Sequence, residues 1–300
     1  MVTTRSFMNQ SWIDLNSPTK EEVDSLVLTQ NIDPIVAKDL LTPTPTQYTE
    51  DKDGIIYLVL HIPFFDHTKR TSDIREIDFI ISKDSLVTAR YDSIDALHYF
   101  AKQTEVNEIL NKEEDSHMFF GLMKNIYEGA ANELSYTEDW LRDIERKIFE
   151  GKEKEMVFSI SNAGRNLLNF RKTLEPHGAI LEIIRDAGAE KFGNKFGKQA
   201  KTILDEWRRI MKIVGNQIDL VTELRETNNS MLSTKQNEIM KQLAIMGAIL
   251  LPLTLIGQLF GLSVRSFPLI NNPNAFWLVL AIMAVVGLVM LAFAKIKKWM

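Results

Sequence analysis

The amino-acid sequence predicts an α+β domain that leads into a long stalk helix and ends in two transmembrane helices. Three observations carry this expectation. Strand-like runs are confined to residues 1–110, among them IIYLVLHI at Ile55–Ile62 and SLVTAR at Ser85–Arg90. From Ser116 onward apolar residues recur at helical spacing. No Asp or Glu lies beyond Glu238, and two long uncharged runs close the chain.

Taken in order, WIDLNSPT at residues 12–19 reads as a short strand and then a helix start. Ser17 can cap with Pro18 at the first helical position, or Thr19 can cap with Glu22 three residues on. TPTPT at Thr42–Thr46 is a break. Strands are expected at Ile55–Ile62, Ile77–Ser82 and Ser85–Arg90, with Lys83-Asp84 turning the chain between the last two. Helix resumes near Ile94. Beyond Ser116, Phe120, Met123, Ile126 and Tyr127, then Leu141, Ile144 and Ile148, mark one helical arm that Gly151 ends. A second arm is expected over roughly Glu153–Ala187. A third segment begins near Lys195 and meets no proline until Pro252. If continuous it spans roughly 85 Å at about 1.5 Å per residue, too long for a lone globular helix and suited to a stalk. Leu204, Trp207, Ile210, Met211, Val214, Ile218, Val221 and Leu224 form its apolar stripe, a seam against neighbouring helices.

Gln242–Val264 and Ala275–Ala294 are free of charge, and about 20 apolar residues suffice to cross a bilayer. Between them RSFPLINNPN (Arg265–Asn274) is a short loop. Lys235 and Lys241 precede the first span, Lys295, Lys297 and Lys298 follow the second, and the loop holds only Arg265. The positive-inside bias therefore puts both termini in the cytoplasm. Phe276 and Trp277 at one end and Trp299 at the other suit the two interfaces. The expected division is 1–110 for the cytoplasmic α/β domain, 111–240 for helical arms and stalk, 241–264 for the first span, 265–274 for the outer loop, 275–294 for the second span and 295–300 for a basic tail.

Composition excludes several function classes. Five of the 35 bases lie beyond Glu238, which leaves 30 against 40 acids and a net charge of −10 before the spans. That balance gives no support to nucleic-acid binding; it concentrates cations instead. With no cysteine, disulfides and thiolate metal sites are out. The first residues, MVTTRSFMNQSWIDL, lack an apolar core of signal-peptide length. The five histidines (His61, His67, His98, His117 and His177) form no ligand pattern. Ser17-Pro-Thr-Lys20 fits an S-x-x-K pattern, but a helix cap explains it. GNKFGK at Gly193–Lys198 has the wrong spacing for a P-loop and reads as a turn between helices. No catalytic constellation and no organic cofactor site emerges; the chain is not expected to be an enzyme.

The layout resembles the CorA-type magnesium transporters over nearly the whole chain. The most specific matches are WIDLNSPTKEE (Trp12–Glu22), NEIMKQLAI (Asn237–Ile245), PLTLIGQLFG (Pro252–Gly261) and the terminal KIKKWM. The resemblance implies a homopentamer in the inner or plasma membrane, in contact with lipid, whose five first spans ring a pore for Mg²⁺ or another divalent cation. It places Asn237, Met240, Gly247, Leu251, Thr254 and Gln258 on the pore face, and helical spacing allows one stripe through them. Met240 and Leu251 would be apolar constrictions that gate by dewetting. Pro252 can bend the helix, and Gly257 and Gly261 permit close helix approach. The family signature after the first span is Tyr-Gly-Met-Asn; here Phe260-Gly261-Leu262-Ser263 stands in its place, with Arg265 just beyond. Neutral oxygens select hydrated Mg²⁺ without stripping its water. A serine ring is wider and weaker than an asparagine ring, and arginine repels cations at the mouth. The resemblance therefore keeps three alternatives open: Mg²⁺, another ion such as Zn²⁺, Co²⁺ or Ni²⁺, or a non-conducting structural or regulatory pentamer. It also implies regulatory Mg²⁺ bound by carboxylates between neighbouring cytoplasmic domains, for which Asp84 and Asp205 are the nearest acids.

Overall fold

The computed structural model describes residues 2–7, 10–30, 32–52, 54–66, 71–109, 116–261 and 274–297. The chain forms two compact units, Met1–Arg225 and Glu226–Met300.

The first unit is built on a six-stranded mixed sheet in the order β1-β2-β6-β5-β4-β3. The strands are β1 (Val2–Phe7), β2 (Gln10–Asn16), β3 (Tyr48–Lys52), β4 (Ile55–Asp66), β5 (Thr71–Ile81) and β6 (Ser85–Arg90). All neighbours are antiparallel except β2 and β6, which run parallel with Asp14 opposite Thr88. Alternation sets the two faces of the sheet. Ile13, Leu15, Tyr57, Val59, Ile80, Val87 and Ala89 pack beneath α1 (Lys20–Gln30) and α2 (Pro34–Asp39), where Val23, Leu26, Val36 and Leu40 meet them. On the other face Trp12 meets Phe100 of α3 (Asp95–Ile109), and Phe79 meets Phe119 of α4 (Met118–Phe149), ring centroids 5.2 and 5.5 Å apart.

Thr19 and Glu22 form the capping box at the start of α1: the Thr19 amide donates to Glu22 Oε2 (3.0 Å) and the Glu22 amide to Thr19 Oγ1 (3.4 Å). Ser17 is not the cap. Its φ is +49°, a left-handed turn that swings the chain off β2 before the helix begins.

α4 ends at Gly151, whose φ of +90° closes a Schellman turn: Gly151 N donates to Ile148 O and Lys152 N to Lys147 O. The expected second arm is two helices, α5 (Glu153–Leu174) and α6 (His177–Phe192). Pro176 separates them because it has no amide to continue α5. β4 and β5 are longer than the apolar runs alone suggested, β6 keeps its expected bounds, and β1 and β3 are additions.

α7 (Asn194–Gly261) is one continuous helix of 68 residues that passes through Pro252. In the first unit its stripe is buried at Leu204, Ile210, Val214, Val221 and Leu224 and half-buried at Trp207, Met211 and Ile218. Gln217 donates to Leu134 O of α4 (2.8 Å), and Trp207 Nε1 to Leu174 O of α5 (2.8 Å). The second unit holds the remainder of α7 and α8 (Ala275–Ile296), which pack together where Leu253 lies 3.9 Å from the space a Gly287 side chain would fill.

Candidate functional site

Among the described residues two helices are long and apolar enough to cross a membrane: α7, by its C-terminal part, and α8. Their apolar side chains are bare. Leu243, Met246, Leu250, Leu255 and Leu259 on α7, and Trp277, Val285, Leu288 and Val289 on α8, are all exposed. A surface this apolar is stable only against lipid or other copies of the same helices.

Asn237, Met240, Gly247, Leu251, Thr254 and Gln258 fall on one stripe of α7, through Ala244. Asn237, Met240, Leu251, Thr254 and Gln258 are exposed and Gly247 is half-exposed; Met240 and Leu251 stand 58% and 71% open. From Leu243 to Gly261 the only polar side chains are Thr254 and Gln258, and both lie on this stripe one turn apart. Polar groups within a span face a protein interior or a water-filled cavity rather than lipid. Thr254 Oγ1 returns its hydrogen to Leu251 O (2.8 Å) and keeps its lone pairs free to accept. Pro252 has no amide hydrogen, so the Ala248 carbonyl loses its helical donor four residues on. Gly261 ends α7, while Leu262, Ser263 and Arg265, the remaining mouth residues, lie outside the described residues. So does His67.

In the first unit Asp84 sits in the Ser82–Ser85 turn between β5 and β6, exposed, with its carbonyl accepting from Ser11 N (3.0 Å). Beside it His117 donates from Nε2 to Ser82 O (2.8 Å). Burial holds the His117 imidazole below its ordinary pKa, opposed by the Ser82 carbonyl and the Asp84 charge. Asp205 is exposed on α7 and paired with Arg208 one turn away (3.0 Å). Among the described residues of one chain, no three His, Asp or Glu side chains are disposed to hold a metal.

The sequence reading passed over a buried polar chain on the sheet. Glu76 and Asp78 alternate with Ile77 and Phe79 on β5, 8% and 0% exposed. The signal was present in REIDFII, where acids occupy alternate positions of an apolar strand that helices cover on both faces.

The comparisons fit this geometry. The family model described as CorA-like Mg²⁺ transporter protein matches residues 9–298. The cobalt/magnesium transport protein CorA of Thermotoga maritima is 24% identical over 270 residues, covering 90% of this chain and 77% of that protein. The protein of the same description from Methanocaldococcus jannaschii is 21% identical over 290 residues, covering 96% and 90%. The complete structure of the CorA magnesium transporter from Methanocaldococcus jannaschii superposes with a TM-score of 0.83 at 20% identity, over 99% of this chain and 94% of that one. A sheet domain, an unbroken 68-residue helix and two bare apolar spans, matched from residue 9 to residue 298, place this chain in the CorA-like Mg²⁺ transporter protein family.

Proposed function

We propose that this chain is a divalent-cation transporter of a cell membrane, with Mg²⁺ as its default ion, and that five copies assemble with their first spans around the ion path. Its work is transport rather than catalysis. The observation that carries the reading is the polarity of α7: between Leu243 and Gly261 the only polar side chains, Thr254 and Gln258, share the stripe that holds Met240 and Leu251. In a ring of such helices that stripe faces the axis. Met240 and Leu251 form apolar collars that exclude water when closed. Thr254 and Gln258 offer neutral oxygens to the hydration shell of a cation that surrenders its water reluctantly. Family membership and the relatives' described roles support the same ion class.

At the mouth, Ser263 supplies a hydroxyl ring and Arg265 a ring of positive charge. This favours weaker capture of Mg²⁺ than an asparagine ring gives. Both termini lie in the cytoplasm, by the lysines that flank the spans. Asp84 and Asp205 meet a regulatory cation across neighbouring subunits, where one ion offsets the repulsion between acidic surfaces.

The test is ion uptake into liposomes containing the purified full chain, with Mg²⁺, Co²⁺, Ni²⁺ and Zn²⁺ offered singly. Mg²⁺ uptake is expected, Ser263→Asn should strengthen Mg²⁺ capture, and Arg265→Glu should raise uptake in a manner that fades with salt. If neither change alters flux or ion preference while a Met240 or Leu251 substitution does, selection lies deeper than the mouth. If no preparation carries any ion, the chain is a membrane-anchored assembly that does not conduct.

A further inference from the structure

The buried acids of β5 grip a loop. Both oxygens of Glu76 accept from the backbone amide of Thr44 (2.8 Å each), and His61 Nε2 on β4 reaches Glu76 Oε2 (3.3 Å) and Thr44 O (3.0 Å). Three residues on, Gln47 accepts from His61 N (2.9 Å) and donates to Thr173 O at the end of α5 (2.8 Å). From the other side His177 Nε2 on α6 donates to His61 O (2.9 Å). Segment 44–47 is thus one of the ties between the sheet and the α5–α6 arm, beside Asn169–Ser72 and Lys191–Asp51, and Glu76 is its main anchor.

Asp78 lies two residues from that anchor on the same face, fully buried. Its Oδ2 is 3.5 Å from Tyr57 Oη, and its Oδ1 has no hydrogen-bond partner among the described residues. The titratable groups facing it are Asp39 from α2, Tyr48 from β3, Tyr57 and His61 from β4, Glu76 from β5 and Tyr91 beyond β6. Tyr48 Oη donates to Asp39 Oδ2 (2.9 Å) and Tyr91 Oη to the Asp39 carbonyl (3.4 Å). No Lys or Arg among the described residues forms an ion pair with Asp78. Among the described residues the cluster holds three acids and three phenols, with His61 as the potential cation.

We propose that the Glu76–Asp78 carboxyl pair is a proton-operated latch, in which a protonated Asp78 lets Glu76 hold Thr44 and an ionised Asp78 drives the two carboxylates apart and unseats segment 44–47. Burial first, then the Glu76 charge, push the Asp78 carboxyl up to about 8; Asp39 adds to this and the Tyr57 hydroxyl opposes it. The His61 imidazole is held above its ordinary pKa, chiefly by its hydrogen bond to Glu76, and against burial. Its proton is the counter-charge of the anchor. Both protons favour the closed latch, so rising pH opens it. In the open state Asp78 meets water and ionises at an ordinary carboxylate pKa. Opening therefore becomes more favourable as pH rises toward about 8 and levels off above it.

Amide hydrogen exchange on the full chain in detergent micelles reads the latch directly, because the Thr44 amide is the bond that Glu76 makes. The quantity is Thr44 protection, corrected for intrinsic exchange, in Asp78→Asn relative to the wild type. This ratio should rise roughly fifteenfold between about pH 6.5 and about pH 8, where half of Asp78 is already ionised, and level off about twofold higher. The amides of β6 should keep their protection throughout. A pH-independent ratio overturns the latch, as does a parallel loss of protection in β6. Tyr57→Phe gives a second reading. Removing the hydroxyl that favours the ionised form should move the plateau to higher pH, and an unmoved plateau counts against the mechanism. If wild-type Thr44 protection is flat across the range, the latch is refuted whatever the variants do.

Discussion

Thr88→Val isolates the bond network that joins the parallel strands. Thr88 is fully buried on β6. Its hydroxyl accepts from Trp12 Nε1 (3.0 Å) and donates to Asp14 Oδ1 (2.8 Å), while Arg90 holds Asp14 Oδ2 through Nε and Nη2 (3.2 and 3.1 Å). Valine has the same outline without the hydroxyl. The substitution strands a donor on Trp12, 1% exposed, and an acceptor on Asp14, 7% exposed. A buried polar group left without its partner costs about 1–3 kcal/mol. Two such groups cost about 2–6 kcal/mol, and the added methyl returns about 0.8 kcal/mol. The expected net loss is about 1–5 kcal/mol, which lowers the unfolding midpoint of a unit this size by roughly 3–15 °C. Thr88→Ser keeps both hydrogen bonds and loses one buried methyl, at about 1 kcal/mol. Thermal unfolding followed by near-UV circular dichroism and tryptophan emission distinguishes them. In the Trp12→Phe, Thr88→Val double variant the losses should be less than additive, since one orphan disappears. If Thr88→Val melts with the wild type, or no lower than Thr88→Ser, the network is not what joins β2 to β6.

His177, fully buried and held down to about 4 by burial, accepts from Tyr127 Oη (3.0 Å) as a neutral ring. Its depressed pKa contributes stability present above the unfolded value of about 6.5 and lost as pH falls toward 4, about 3 kcal/mol in all, so the wild-type advantage over His177→Gln should shrink by that amount in urea titrations across this range. Leu251→Ser and Met240→Ser should speed ion entry into liposomes; removing about 1.4 kcal/mol of an apolar barrier gives about tenfold, and unchanged flux in both would take the collars out of the mechanism. Millimolar Mg²⁺ should protect the stalk from protease in the wild type and less so in the Asp84→Asn, Asp205→Asn double variant; equal protection removes these acids from cation sensing. Asn272→Cys, in a chain with no native cysteine, should react with a membrane-impermeant thiol reagent in intact cells and Ser6→Cys should not, and the reverse pattern inverts the topology.

What was legible in the sequence had a local cause. The Thr19–Glu22 box is a four-residue signal and stands as read. β6 keeps the bounds of its apolar run, and the Ser82–Ser85 turn follows from Lys83-Asp84. The two spans are visible because lipid demands length and low charge, which composition reports directly. What was not legible depends on distant partners. β1 (VTTRSF) and β3 (YTEDK) are polar edge strands whose pairing with β2 and β4 defines them. Pro176 broke the expected arm by a rule the apolar pattern overrode, and Ser17 took a positive φ that no side-chain preference announces. Of the candidate site, the resemblance named the stripe through Met240 and Leu251 and helical spacing allowed it, its pore role being a proposal, whereas the grip of Glu76 on Thr44 needed the fold to bring residues 32 apart in sequence into contact.

The parallel pairing of β2 with β6 also sets an order of assembly. Asp14 and Thr88 are 74 residues apart, so the N-terminal hairpin has no neighbour to dock on until β6 has been synthesised. At ribosomal rates of about 5–20 residues per second that wait is roughly 4–15 s. The β4-β5-β6 meander joins by short connections and closes early, since near contacts form before distant ones. During the interval the edge of β2 that β6 will later cover stands open and offers unpaired backbone to a stray strand. The first strands made are thus the last seated, and the nascent chain is most vulnerable to aggregation before its spans have been translated.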